Sequence, residues 1–280
     1  MGKRVRILRE TMKAAEDGCY FLEEREVKLL FSFEQIKEVK LYSTEQIVQL
    51  SQLPLLGNGP ARIVLRNQDT LEAAFDLHRH RKESEKPVLV LNFANPHRPA
   101  GGIRSKPGTQ EEHLCVKTTL LCSLETEKAW PFYQVNLDCG THAQTDTILY
   151  SPNTVVIRNP DLSLREDPFP IAVMTVSAPI ASRMEPEELP DLENILRKRI
   201  CGMLRTAIEE GYTRLVLGAW GCGSFGNDPE LVAELFHQAL IESNPMTCTG
   251  IVGYFEEIAM AVFDHSAEQR WYQPFARYFP

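Results

Sequence analysis

One arrangement occurs twice in this 280-residue chain and limits its fold more than any other feature. A short apolar run leads into a glycine-rich loop, and the loop leads into the start of a helix. In the first copy, Pro87-Val-Leu-Val-Leu91 is apolar and β-branched with turn residues on both sides, which predicts a central strand. The loop after it holds Pro96, Pro99, Gly101, Gly102, Pro107 and Gly108. Thr109 then predicts an N-cap, with Glu112 three residues on as its capping-box partner. In the second copy, Arg214-Leu-Val-Leu217 dissolves into glycines 218, 221, 223 and 226, and Asp228-Pro229 opens a helix as N-cap and N1. Buried strand, glycine loop and helix N-terminus is the grammar of an α/β sheet, and it aims backbone N–H groups at an anion. Two such loops on one sheet can clamp a diphosphate from both sides.

The first loop differs from a plain phosphate site. Glu111 and Glu112 stand where an anion should sit. A carboxylate beside an anion hinders binding, but it serves chemistry if it holds a proton and gives it to a leaving oxygen. Cleavage of a glycosidic bond needs such an acid beside a sugar. Adjacent helix residues point about 100° apart, so the two glutamates cannot share one role. The competing reading is structural: Thr109 and Glu112 form only a capping box, and the glycines only a turn.

These residues also carry a resemblance. Ala100-Gly101-Gly102, seven residues, then Gln110-Glu111-Glu112 resembles the signature of the macrodomain-type poly(ADP-ribose) glycohydrolases, in particular their bacterial-type branch. That signature is three glycines, six to eight residues, then Gln-Glu-Glu. Gly218-Ala-Trp-Gly-Cys-Gly-Ser-Phe-Gly-Asn227 resembles the family's second ligand loop, and Arg4 to Tyr20 its N-terminal segment. The resemblance implies a macrodomain-like three-layer α/β/α sandwich with a mixed sheet. It implies hydrolysis of the O-glycosidic bonds of ADP-ribose conjugates, with Glu112 as general acid and Glu111 and Gln110 positioning the riboses. Asn95, Ala100, Gly101, Gly102 and Ile103 would bind from the first loop. Gly221, Cys222, Gly223, Ser224, Phe225 and Asn227 would close the other side, Phe225 packing on the terminal ribose. One departure stands out, since Ala100 occupies the first glycine position. A methyl group there is costly if the backbone needs positive φ, and harmless otherwise. Two alternatives stay open: removal of a single ADP-ribose from a protein side chain, and ADP-ribose reading without hydrolysis. An intact Gln-Glu-Glu argues against a reader.

The rest of the chain fits around this centre. Residues 1–60 read as an extension packed on the main fold, with a helix from Val5 to Ala15, a strand from Glu26 to Phe33 and a short helix capped by Thr44. Alternation of strand and helix covers 61–280. Strands are expected at Ala61–Arg66, 147–152 (an edge strand), 154–158, 170–176 and 257–263, with helices at Leu71–His80 and Leu192–Ile208. His78 to Lys82 is a basic, solvated helix end, and the tail with Trp271, Tyr272, Phe275 and Tyr278 reads as core cover. A net charge of −8 argues against broad binding to a nucleic-acid backbone, and no direct binding of a duplex is expected. It shows no apolar run long enough for a membrane helix, no signal-peptide core and no zinc spacing among its seven cysteines. A cytoplasmic monomer with free thiols is expected, with access to a nucleus if the cell has one. No cofactor and no metal are expected, and the partners are ADP-ribose or ADP-ribosylated proteins.

Overall fold

The computed structural model describes residues 3–52, 61–103, 108–241 and 251–280. Residues 104–107 of the first glycine loop lie outside the described residues.

In chain order the elements begin with α1 (Lys3–Asp17), a hairpin of β1 (Cys19–Leu22) and β2 (Arg25–Lys28), and α2 (Phe33–Ile36). Then come β3 (Lys40–Tyr42), α3 (Thr44–Gln52), β4 (Arg62–Arg66), α4 (Thr70–Arg79) and β5 (Val88–Phe93). Three short helices follow, α5 (Gln110–Lys117), α6 (Leu120–Leu124) and α7 (Trp130–Asp138). The long pair β6 (Ile148–Arg158) and β7 (Leu164–Val176) leads to α8 (Leu192–Glu209), β8 (Arg214–Leu217), α9 (Pro229–Ile241), β9 (Glu257–Ala261) and α10 (Tyr272–Tyr278).

The seven-stranded sheet has the order β3-β6-β7-β5-β8-β9-β4. The five strands from β7 to β4 are parallel, and β6 runs against them, pairing antiparallel with β7 on one side and β3 on the other. The C-terminal ends of five strands therefore collect at one edge, where α/β sheets bind ligands. Strand β5 shows why the sheet is covered on both faces. Leu89 and Leu91 point into a core shared with α8, α9 and α10, while Val88 and Val90 point into one shared with α1, α4, α5 and α7. The result is the three-layer sandwich with a mixed sheet that the resemblance implied.

The first sixty residues differ from the expected layout. The run 26–33 is not one strand. It is the second half of a hairpin, and Ser32 then caps α2 through a capping box with Gln35. That local side-chain bonding draws Phe33 into a helix in spite of its β propensity. Strand β3 enters the main sheet as its edge strand beside β6. The two strands expected over 147–158 are one, Ile148–Arg158, with an irregularity between Ser151 and Thr154 that accommodates Pro152. Thr118 breaks the helical region after 109, because its extended backbone bridges to Val156 while Thr119 Oγ1 accepts the Val155 N–H at 3.0 Å.

Two buried arginines tie the layers together. Arg158 reaches from β6 to α1, donating to Thr11 Oγ1 at 2.8 Å, and Thr11 donates onward to the carbonyl of Val116 in α5 at 2.9 Å. Arg199 of α8 donates to Asp146 Oδ1 at 2.9 Å, to the Gln144 carbonyl at 2.8 Å and to the Ser177 carbonyl at 3.1 Å. It thus clamps the start of β6 and the end of β7. Burial pushes the Asp146 carboxyl up, but Arg199 and Lys198 pull it further down, below the usual carboxylate range. Replacing Asp146 with Asn leaves Arg199 as a buried charge without its counter-ion, and should lower unfolding stability by about 3–5 kcal/mol in urea titrations. Folding favours the ionised carboxylate, so the wild-type contribution is complete above the ordinary carboxylate range and is lost as pH falls through it.

Candidate active site

The site is built at the end of β5. Three consecutive side chains at the start of α5 fan out to three different partners. Gln110 turns back to the strand, where its Oε1 accepts the Phe93 N–H at 2.9 Å and its Nε2 donates to the Leu91 carbonyl at 2.8 Å and to Thr70 Oγ1 at 3.2 Å. Its amide therefore locks α5 onto β5. Glu111 points to the strand end, where it accepts the Asn95 N–H at 2.8 Å and the Asn92 amide at 3.3 Å. Glu112 points into the loop, accepting the N–H of Gly102 and of Thr109 at 2.9 Å each, and that of Gly108. The capping box with Thr109 is present as well. The structural and the functional readings of this stretch therefore hold together, because one carboxylate caps its helix and closes the glycine loop.

Both glutamates are buried, Glu111 with 1% and Glu112 with 3% of its surface exposed. Burial pushes the Glu111 carboxyl up to about 8, with a small addition from Glu112 and against the pull of the Asn95 and Ala100 N–H groups and the Asn92 amide. Burial thus favours the neutral form of the Glu111 carboxyl.

A cavity of about 720 Å³ opens beside these groups, well within the size of small-molecule sites. Asn95, Gly101, Gly102, Gln110, Glu111 and Glu112 line it from the first loop and α5, and Gly221 to Phe225 face them from the second. Gly221 has φ +75°, and a Cβ there would stand 2.5 Å from Ala178 Cβ and from Asn227 Nδ2, so only glycine fits. Among the described residues nothing accepts a hydrogen bond from the backbone N–H of Gly223, Ser224 or Phe225. Such consecutive free donors form an anion-binding concavity.

Three of the expected site residues stand behind the cavity rather than on it. Ala100 is fully buried with φ +51°, so it does occupy a conformation that costs an alanine roughly 1–2 kcal/mol. Its methyl lies in the core with Ala94 and Ile103, away from the cavity, so the departure from glycine leaves the ligand wall unchanged. Ile103 is part of that same core. Asn227 donates to the carbonyls of Pro179 and Gly221 at 2.9 and 3.0 Å and holds the second loop in shape. Cys222 does line the cavity, but burial pushes its thiol up, away from reactive thiolate character.

Sequence reasoning missed the far end of the cavity. Gln68, Asp69 and Thr70 after β4, Phe263 after β9, and Arg270 and Trp271 of the tail line it there. Asp69 and Thr70 were legible only as helix caps, and Asp69 is indeed one, also bound by Lys117 at 2.5 Å. The available signal was topological, since both segments follow parallel strands at the ligand edge. Trp271, expected as core cover, is half-buried with the Arg270 guanidinium 4.3 Å from its ring centre. Among the described residues no group of three or more His, Cys, Asp or Glu could hold a metal ion. No described helix is long and apolar enough to cross a membrane.

Comparison with known proteins bears on this geometry. The family model for the microbial-type PARG catalytic domain matches residues 8–159, more than half of the chain. No curated protein matches. The solved structure of poly(ADP-ribose) glycohydrolase from Thermomonospora curvata is similar over 99% of both chains, at 31% identity and a TM-score of 0.88. The same enzyme bound to the inhibitor ADP-HPD gives 31% identity over 98% of both chains, with a TM-score of 0.86. The poly(ADP-ribose) glycohydrolase of Deinococcus radiodurans in complex with ADP-ribose is 32% identical, over 90% of this chain and 97% of that one, with a TM-score of 0.78. With its carboxylates, glycine loops and sheet in that company, the chain belongs to the microbial-type poly(ADP-ribose) glycohydrolase family.

Proposed function

We propose that the chain hydrolyses the ribose–ribose O-glycosidic bonds of poly(ADP-ribose) and releases ADP-ribose, with Glu112 as general acid. The observation that carries this reading is the Glu112 carboxyl, aimed by three loop N–H groups at the wall of a cavity whose opposite side is a row of free backbone donors. A diphosphate suits that row, and the reacting ribose then lies at Glu112. In the reaction Glu112 protonates the oxygen that leaves. The bond from that oxygen to the anomeric carbon breaks with its electrons going to oxygen, and the sugar passes through an oxocarbenium-like state. Water adds to the anomeric carbon and returns its proton to the Glu112 carboxylate. Fixed amides and one carboxylic acid are enough for these steps.

Glu111 has a supporting role. Its carboxyl holds the Asn95 backbone and supports the ribose side of the cavity. Residues 61–280 form the catalytic unit, since every described residue on the cavity comes from them. Residues 1–60 brace it through the Thr11 contact with α5. One chain supplies the whole site, so a monomer suffices.

Replacing Glu112 with Gln should lower release of free ADP-ribose from poly(ADP-ribosyl)ated protein about 10²–10⁴-fold while ADP-ribose binding is retained. Binding by wild type without release would point to a reader, and release only from mono-ADP-ribosylated protein would point to side-chain cleavage. Glu111 predicts a pH effect on stability. Its pKa is higher in the folded protein than in the unfolded chain, so the cost of burying it is absent below about pH 4.3 and grows as pH rises toward 8. Thermal melts of wild type should lose stability across that window, and Glu111→Gln should remove that part of the slope.

A further inference from the structure

The cavity follows the ends of β5, β8, β9 and β4, from Glu112 and Asn95 near β5 to Asp69 beyond β4. On the other side of β5 stand β7 and β6. The segments at that end carry a basic group that does not line the cavity. His97 and Arg98 come from the loop after β5, His142 from the segment before β6 and Arg183 from the segment after β7.

The backbone fastens this group to the site. Asn95 Oδ1 accepts the His97 and Arg98 N–H groups at 3.0 and 3.2 Å. The Ile180 N–H donates to the His142 carbonyl at 2.8 Å, and the Arg183 N–H donates to the Ile180 carbonyl at 2.8 Å. The Ser182 N–H donates to the Phe225 carbonyl at 3.0 Å. One flank is thus anchored on Asn95 and the other on Phe225, both of which line the cavity. His97, His142 and Arg183 are neighbours: burial first and then His142 and Arg183 hold the His97 imidazole below its ordinary value, against a hydrogen bond with Gln144. Glu188 accepts hydrogen bonds from the Thr141 hydroxyl and the Glu185 N–H, and these, with a smaller pull from His142, hold its carboxyl below the usual range. Among the described residues no carboxylate pairs with Arg98 or Arg183. In a chain of net charge −8, the guanidinium groups of Arg98 and Arg183 beside a site suit an anion, and the two imidazoles add hydrogen-bond donors.

We infer that His97, Arg98, His142 and Arg183 form a leaving-group subsite for the diphosphate of the polymer unit on the far side of the bond being cut. This rests on the polymer reading above. With the departing ADP-ribose laid along β5 to β4, the next unit must leave across β7 and β6. Its ribose carries a diphosphate of its own, whereas an ADP-ribosylated side chain brings none to that place. The rim therefore favours polymer over single ADP-ribose marks.

The test compares wild type with the double variant Arg183→Gln/His142→Gln and with Arg183→Lys, measuring ADP-ribose release from polymer at several salt concentrations and the binding of free ADP-ribose. The double variant should raise KM for polymer about tenfold and flatten its salt dependence, with kcat and ADP-ribose affinity unchanged. Arg183→Lys should stay close to wild type. An unchanged polymer KM overturns the subsite. Equal losses of polymer turnover and ADP-ribose affinity also overturn it, because the rim would then only support the cavity. A wild-type protein that binds ADP-ribose but releases none from polymer refutes the polymer reading itself, and the subsite with it.

Discussion

The Glu112 carboxylate is the contact on which the site depends. It receives N–H groups from Gly102, Gly108 and Thr109, and so joins the two ends of a loop to the first turn of a helix. Without an acceptor at this position the helix would lose its capping partner and the loop its closure. Its position is enforced from behind at three places. Gln110 binds the backbone of β5, Thr11 of α1 binds the Val116 carbonyl, and Lys117 binds the N-cap of α4. The left-handed backbone of Ala100 persists for the same reason, because the surrounding core and hydrogen bonds leave it no alternative.

The paired glutamates show how environment separates two identical groups. Both sit in the first turn of one helix, where the helix dipole favours negative charge. Glu111 is surrounded by the end of the central strand, and the loss of water there outweighs its hydrogen bonds. Glu112 lies against the loop amides and the open cavity. Two adjacent carboxyls on one cavity wall thus meet different surroundings, Glu111 the strand end and Glu112 the loop amides.

Much of this was legible in advance wherever local signals agreed. The run 87–91 could only be a central strand, Thr109 and Glu112 spelled a capping box, and Asp228-Pro229 spelled a helix start. Glycines placed after strands marked the two loops, and the family resemblance singled out Gly101, Gly102 and Gly221 to Phe225, which the cavity does include. Reading failed where the decisive partner was distant in sequence. Nothing in Lys40-Leu-Tyr42 announces an edge strand, because three residues become a strand only when β6 offers its ladder. Trp271 looked like core because aromatic residues usually are, and its place on the cavity depends on how the tail returns across β9.

The sequence by itself determined the alternation of strand and helix and the two glycine loops. Those properties are local: periodicity, capping and φ preference act within a few residues of the chain. Only the tertiary structure decided which residues face the cavity and which stand behind it, as Ala100, Ile103 and Asn227 do. It alone moved the Glu111 carboxyl to about 8, since desolvation arises from atoms that the fold brings in from Asn92, Asn95 and beyond. It also gathered His97, His142 and Arg183 from three separate segments, a proximity that strand order creates and no spacing along the chain reveals.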